Sequence, residues 1–563
     1  MIFKKKAVIF LIILVMGFWQ ASAASQIKTP AEEGRYVKYS QYEEVVRFIS
    51  LLDAKSEVLQ VRLIGRTKEV DNYPARDLLL CVLTEEGVLE PEALNRKKAT
   101  VLYIASQHGN EQSAKEAALR LLRDLAVGEL KPLLKKINVL IIPQANPYGN
   151  YYDVRQNEIG LDLNRDHVKL EGESTKAIHQ VFSLYQPEVT LDIHEKGDDY
   201  YRVSVGCVSN LNINQALQDY SRQTILRGIE EKLTKKKIAF HEYLVRELLG
   251  SDTSSGARIE GQTATREMML RYSTTDLNDG RNSLGIYETL AFIQEGASRH
   301  DLQTLQDRTD WQYEGLRALA EIVASNGDKI ISLVREKRAN LIKRAEERAA
   351  DDSIHLKMQY ARNPREPELV LKAFESSSSS IRGILKVDKK AGDYITFEDL
   401  EPYRGPSNLK VVTRVVKNWF PLVESRLTVS RPAGYIIPGD RLDLIEVLLQ
   451  HGIQVKMVEK DSAQEVIAYK TIEVVPAKAD YLAPERLEVK PETLKIAIKR
   501  GDFYISCSQP AANLIPCLLE PQSDYGLIRY FKFRLIPEVG DYFSIYRVDK
   551  AISVDLIDFK PWK

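Results

Sequence analysis

Five stretches of the sequence carry residue types that can hold a metal ion and activate water. They are Gln107-His108-Gly109-Asn110-Glu111, Arg155, Asp162-Leu163-Asn164-Arg165, Asp192-Ile193-His194 and Phe292-Ile293-Gln294-Glu295. Two histidines and one glutamate form a standard ligand set for catalytic zinc and leave a fourth position for water. A further carboxylate and an arginine beside that water would complete a set able to hydrolyse an amide bond. His108 and Glu111 lie three positions apart with Gly109 between them, so one tight turn can aim both at one ion. His194 is the third expected ligand and comes from a different strand. Residues two apart on a strand share a face, which puts Asp192 beside His194 and Asp162 beside Asn164. Either aspartate can orient a ligating imidazole. A lone histidine is more often a surface or core residue. Here only eight histidines are present, and two fall at strand ends with carboxylates at suitable offsets.

The elements that must position these groups are legible as apolar periodicity. Helical spacing runs over 42–54 and 113–127, and short continuous apolar runs at 77–84, 101–106 and 138–143 read as buried strands. Such strands alternating with helices predict a sheet covered on both faces, hence an α/β fold. In open α/β sheets, sites form at the carboxyl ends of strands; His108, Asn146 and His194 fall there. Residues 250–282 read as a long loop, 283–295 as a strand, and the stretch to about 350 as helices interrupted near Asn326-Gly327. Beyond the serine run at 376–380, short β-like stretches follow at 435–437, 454–458, 466–475 and 502–506, with a helix at 442–451. The expected fold class is therefore α/β, a mixed and mostly parallel sheet with helices on both faces, followed by a smaller β-rich C-terminal domain. The expected limits are 1–23 for a signal peptide, 33–345 for the catalytic part, 346–400 for a linker and irregular segment, and 401–563 for the β-rich domain.

Lys4, Lys5 and Lys6, the apolar stretch 7–19 and Ala21-Ser22-Ala23 make up a cleavable secretion signal. The apolar stretch is shorter than the roughly 20 residues a spanning helix needs. Export to the periplasm or the exterior is expected, with no stable membrane anchor after cleavage. Basic and acidic residues balance at 79 each, which gives a nucleic-acid partner no electrostatic support. Of the four cysteines, Cys507 and Cys517 are the expected pair in an oxidising compartment, while Cys81 and Cys207 sit in apolar runs as buried thiols.

From His108 to Glu295 the string resembles the zinc carboxypeptidase family of the His-x-x-Glu type. The resemblance starts upstream, at Ser40-Gln41-Tyr42-Glu43-Glu44 and Ile64-Gly65-Arg66-Thr67, and covers roughly 33–345. It implies one zinc ion per chain held by His108, Glu111 and His194, an oxyanion-stabilising Arg155 after Asn146-Pro147, and Asn164 and Arg165 gripping a substrate carboxylate. Glu295 is implied as the general base, with Glu288 as a rival earlier in the same predicted strand. Tyr272 is the counterpart by spacing of a tyrosine on a mobile loop, and Arg281 is a further candidate for an anionic substrate group. The substrate implied is a peptide, or a peptide-like molecule, with a free carboxylate.

Two positions depart from the family's pattern. Tyr148 stands where an aspartate is usual in the Asn-Pro-Asp-Gly turn. Glu195-Lys196-Gly197 follows the third ligand where many digestive members carry a Ser-Tyr pair that contacts substrate. Related folds deacylate N-acyl amino acids with a similar vocabulary, and a non-catalytic peptide-binding protein on this fold is a third possibility. Arg431 to Pro438 and Gly501-Asp502-Phe503-Tyr504 resemble the C-terminal companion region of some bacterial members, whose expected role is to stabilise the catalytic part or to narrow its cleft.

Overall fold

Strands β1 (Leu59–Arg66), β2 (Asp77–Leu83), β3 (Ala99–Ala105), β4 (Ile137–Ile142), β5 (Val189–Lys196), β6 (Val203–Cys207), β7 (Phe240–Glu242) and β8 (Leu290–Ala297) form one sheet in the order β1-β2-β4-β3-β5-β8-β6-β7. The computed structural model describes residues 27–559, except 198–199, 249–250, 253–256, 259–267, 299–303, 376–409, 477–480, 482–483, 551 and 553. The signal-peptide expectation and the serine run at 376–380 lie outside the described residues.

The four central strands β4, β3, β5 and β8 are mutually parallel; β2 joins them antiparallel on one side and β6 antiparallel on the other. Almost every residue of these central strands is buried on both faces, which requires cover on both sides. Helices α1 (Tyr42–Asp53), α2 (Gln112–Ala126), α3 (Pro147–Tyr152), α4 (Glu173–Tyr185), α5 (Gly280–Gly285) and α6 (Leu305–Glu347) surround the sheet. The longest, α6, is tied to β3 by the Tyr103 hydroxyl, which donates to the Leu316 carbonyl at 3.1 Å, and to α2 by Tyr313 donating to Asp124 at 2.6 Å.

The chain leaves β3 for β4 on one side and then returns to β5 on the other. Adjacent parallel strands at such a reversal open a crevice at their carboxyl ends. His108 follows β3, His194 lies near the end of β5, and Glu295 lies near the end of β8.

Two expected boundaries differ. α6 runs unbroken through Asn326-Gly327, because Ser325 and Asn326 turn their side chains back to the carbonyls of Glu321 and Ile322 and so stay compatible with a helix. The stretch expected as loop holds strand Met268–Tyr272, paired with Leu244–Leu248, and α5. The strand expected from 283 begins only at Leu290, because 280–285 is helical. An apolar strand and a short buried helix segment look alike by periodicity.

After α6, hairpin-like pairs (Ser353–Ala361 with Leu422–Ser430, Leu369–Phe374 with Val411–Val416) lead to a seven-stranded sheet. Its edge hairpin, Ser462–Val475 with Arg486–Ile498, is longer than any stretch expected there. One apolar core runs through both sheets and includes Ile104 and Leu448 alike. Polar contacts also cross: Tyr287 donates to the His451 carbonyl at 2.7 Å and Asn513 to the Asn212 carbonyl at 2.7 Å. The expected Cys507–Cys517 bond is absent. All four cysteines are buried free thiols; Cys517 sits on a short helix, where its sulfur accepts from Asn212. Among the described residues no helix is long and apolar enough to cross a membrane.

Candidate active site

The turn after β3 is shaped by two glycines in contact. A Cβ on Gly109 would fall 2.0 Å from the Gly149 backbone carbonyl carbon, so a side chain there is excluded. Gly149 belongs to α3, whose first turn is set by Pro147 and by Asn146 accepting from the Gly149 amide at 2.8 Å. The Asn146 amide also donates to the Gln107, Arg155 and Gln156 carbonyls. The His-Gly-Asn-Glu turn and the segment bearing Arg155 are thereby fastened together.

The Nδ1 atoms of His108 and His194 stand 3.0 Å apart, and each meets one oxygen of Glu111, at 2.7 and 2.8 Å. The Nε2 atom of His108 faces Asp162 at 3.0 Å, and that of His194 faces Asp192 at 2.7 Å. In the neutral rings, a proton on each outward nitrogen, held against its carboxylate, leaves the two inward nitrogens as lone pairs facing one another and Glu111. A cation between them removes that conflict, and the donor set fits zinc, which takes imidazole nitrogen at about 2.0–2.1 Å together with carboxylate oxygen. Ligand atoms of His108, Glu111 and His194 all lie within 4.8 Å of one another, so this group can hold a metal ion.

Around this trio the electrostatics are strongly biased. Burial disfavours charge on Glu111, but His108 and His194 outweigh it and hold the carboxyl well below its ordinary range. Burial likewise opposes a charged His194, yet Asp192 and Glu111 prevail and raise it well above the usual imidazole value. Asp192 is held in turn by the Gln107 amide at 2.8 Å. Glu295 is the register partner of His194 on the neighbouring strand, and its carboxyl is pushed up to about 7, chiefly by burial.

Arg155 places Nε on Asp162 at 2.8 Å and Nη1 3.1 Å from His108 Nδ1, so its donors border the trio. Asp162 caps the turn of Leu163–Arg165, accepting from the Asn164 amide at 3.0 Å. Asn164 reaches His194 Nε2 at 3.2 Å and accepts from the Gly280 amide at 2.7 Å. Gly280 is there of necessity, since a Cβ would fall 2.9 Å from Asp192 Oδ2. A cleft of about 790 Å³ runs over His108, Glu111 and Glu295 to Arg165 and Arg281.

Not every residue marked in the sequence reaches this cleft. Tyr272 packs edge-on against Trp419, ring centroids 4.6 Å apart, beneath Arg222. Glu288 sits in the turn before β8 and accepts from the Asn214 amide and from Asn513. Tyr148 packs on Tyr73 and Tyr152, away from the ligands. Glu195 does line the cleft, but its carboxylate is taken by Arg308 and by the Ser113 amide at the start of α2.

Three tyrosines escaped sequence reasoning. Tyr243 lines the cleft, with its hydroxyl beside Glu295. Tyr481 and Tyr530 come from the C-terminal part, and the Tyr481 hydroxyl bonds the buried Asp276. None sits in a spacing pattern, and the last two depend on long-range packing.

Fold and site define a class: an α/β protein with a His-Glu-His group able to hold a metal ion at the carboxyl ends of parallel strands and a buried acid beside it. Residues 46–195 match the family model described as zinc carboxypeptidase. Among curated relatives it is 24% identical over 462 residues to carboxypeptidase 2 of Trichophyton tonsurans, covering 78% of this chain and 75% of that one. It is 25% identical over 472 residues to carboxypeptidase 2 of Trichophyton rubrum, covering 80% and 77%. Among solved structures, a metallo-carboxypeptidase from Pseudomonas aeruginosa aligns with a TM-score of 0.37 at 20% identity, over 52% of this chain and 70% of that chain. Carboxypeptidase A from Helicoverpa armigera aligns with a TM-score of 0.38 at 15% identity, over 52% and 75%.

Proposed function

We propose that the chain is an exported, zinc-dependent carboxypeptidase-type hydrolase of peptide bonds. A signal peptide would occupy residues 1–23, the catalytic part 33–345, and a β-rich part 401–563 would border the cleft. The observation that carries this reading is the convergence of His108, Glu111 and His194, with Glu295 one strand spacing away in register.

His108, Glu111 and His194 hold the zinc ion, which when bound supplies a Lewis acid that lowers the pKa of a water molecule. Glu295 accepts the proton of the attacking water and passes it to the leaving amine. Its buried setting keeps the proton affinity high enough for both transfers. Arg155 donates to the oxygen that becomes negative as the carbonyl is attacked. Asp162 and Asp192 keep the Nε2 protons of the two histidines in place. Asn164 and Arg165 receive the substrate's free carboxylate; a guanidinium fork suits that group better than a lysine would.

Purified full-length protein should carry one zinc per chain and release the terminal residue from N-acyl dipeptides. Absence of bound zinc, or a zinc-loaded protein inert toward peptides, overturns the reading. Cleavage of N-acyl amino acids alone would replace it with deacylation.

A further inference from the structure

Two guanidinium groups face one cleft with donors to spare. Arg165 donates to its own neighbour, the Asn164 carbonyl, at 2.6 Å, and makes no ion pair with the described residues. Arg281 lies at the cleft floor, is 2% exposed, and gives one bond, to Asp279 at 2.8 Å. Its Nε and Nη1 are buried and donate to nothing among the described residues. Buried donors without an acceptor are rare in native proteins and call for an explanation.

The floor is built to hold this side chain. A Cβ on Gly206 would fall 2.7 Å from Arg281 Nη1, so glycine at that position makes room for the guanidinium. Asp279 holds Arg281 on one side and also caps α5, which fixes the base of the arginine on a short helix. The amide of Gly280, the preceding residue, is held by Asn164, so the Asn164–Arg165 turn and Arg281 are tied into one frame.

We propose that the substrate's terminal residue is acidic, its α-carboxylate received by Arg165 and its side-chain carboxylate by Nε and Nη1 of Arg281. An apolar side chain on that floor leaves the two donors unpaired and dry. A lysine or arginine side chain meets like charge. An aspartate or glutamate supplies the missing acceptor in a charge-assisted bond. Tyr243 stands beside the same spot: its Cβ would lie 3.1 Å from a Cβ placed on Gly206. Both free nitrogens are buried as the cleft stands, so a neighbouring side chain must shift before a carboxylate reaches them. This inference rests on the carboxypeptidase reading and names its substrate class.

The test uses zinc-loaded, full-length enzyme and N-acyl dipeptides ending in Glu, Asp, Phe, Leu or Lys. Glu or Asp should exceed Phe and Lys in kcat/KM by at least about tenfold. Arg281→Met should collapse that ratio, chiefly through KM for the acidic substrates, at unchanged zinc content. If Arg281→Met does not fold, Gly206→Ala, which crowds Nη1, should lower the ratio in the same direction. Wild-type preference for Phe, Leu or Lys, or a ratio indifferent to whichever variant folds, overturns the inference while leaving the peptidase reading intact. Failure to release any terminal residue overturns both.

Discussion

Glu295 and His194 stand opposite each other in register on adjacent parallel strands, β8 and β5. In-register neighbours of parallel strands point to the same face, about 4.8 Å apart, so the sheet itself fixes the separation between the candidate base and the candidate ligand. A loop would allow the carboxylate to drift; two fully buried central strands do not.

Glu295→Gln should therefore leave the metal centre assembled and remove turnover. The amide keeps the shape of the side chain, and His108, Glu111 and His194 are untouched. Zinc content should stay at one per chain while kcat falls by about 10²–10⁴. Elemental analysis and single-turnover kinetics check the two halves separately, and activity within a few-fold of wild type would remove Glu295 from the base role.

Arg155→Ala tests the oxyanion role. Its Nη1 borders the ligand trio while Nε is held on Asp162. Loss of one such donor lowers kcat by about 10²–10³. Substrate affinity and zinc content should change little, which separates this effect from damage to the metal centre. A variant that loses zinc instead would make Arg155 a support of the ligands.

The pH dependence has a definite sign. Burial, aided by Glu111, raises the Glu295 carboxyl to about 7 before any cation is bound, and a dication beside it lowers that value. A base works only when deprotonated, so kcat/KM should fall as pH drops, with its acid limb below 7 in the zinc enzyme. The Tyr243 hydroxyl stands beside Glu295, where donating to the carboxylate would favour its charged form. Tyr243→Phe should therefore move the acid limb upward, and a limb unmoved or moved downward would show that this hydroxyl does not govern the carboxylate.

Much of this arrangement was legible before the structure, and the reasons are physical. Short continuous apolar runs can be placed within a residue or two because the central strands are buried on both faces, as β3 and β4 are. The carboxylate at offset two from His194 announces a partner for its imidazole because strand periodicity is strict; Asp162 meets His108 from the cap of a 3-10 turn instead, so strand spacing does not account for that pair. Tyr272 was drawn toward the cleft by its spacing from Glu295, yet the structure gives it to Trp419 and places Tyr243 by the acid instead. The hairpin of Leu244–Leu248 with Met268–Tyr272 decides between these two tyrosines, and its register cannot be read from a single strand. The contribution of Tyr481 to the cleft depends on how a distant sheet docks, and no local pattern encodes that.

Three buried histidines join the two parts of the chain and should make its stability sensitive to acid. His167 Nδ1 lies 3.1 Å from His179 Nε2, and His179 packs edge-on against His451, whose Nε2 donates to the Val168 carbonyl at 2.9 Å. The outer nitrogen of His167 meets Gln107 Oε1 at 2.8 Å. Burial is the leading cause in all three: it lowers His167 and His451 from 6.5 to about 4, and it places His179 well below its ordinary value. The unfolded chain therefore binds protons that the folded one refuses. Stability is complete above about 6.5 and is lost as pH falls toward 4, each histidine adding a slope of up to about 1.4 kcal/mol per pH unit. His451→Gln can keep the donor to Val168 and has no proton to take up, so its urea-unfolding free energy should fall less steeply over pH 6.5 to 4 than that of wild type. Parallel slopes for the two proteins would mean that His451 titrates alike in the folded and unfolded chains, contrary to its burial between the two parts.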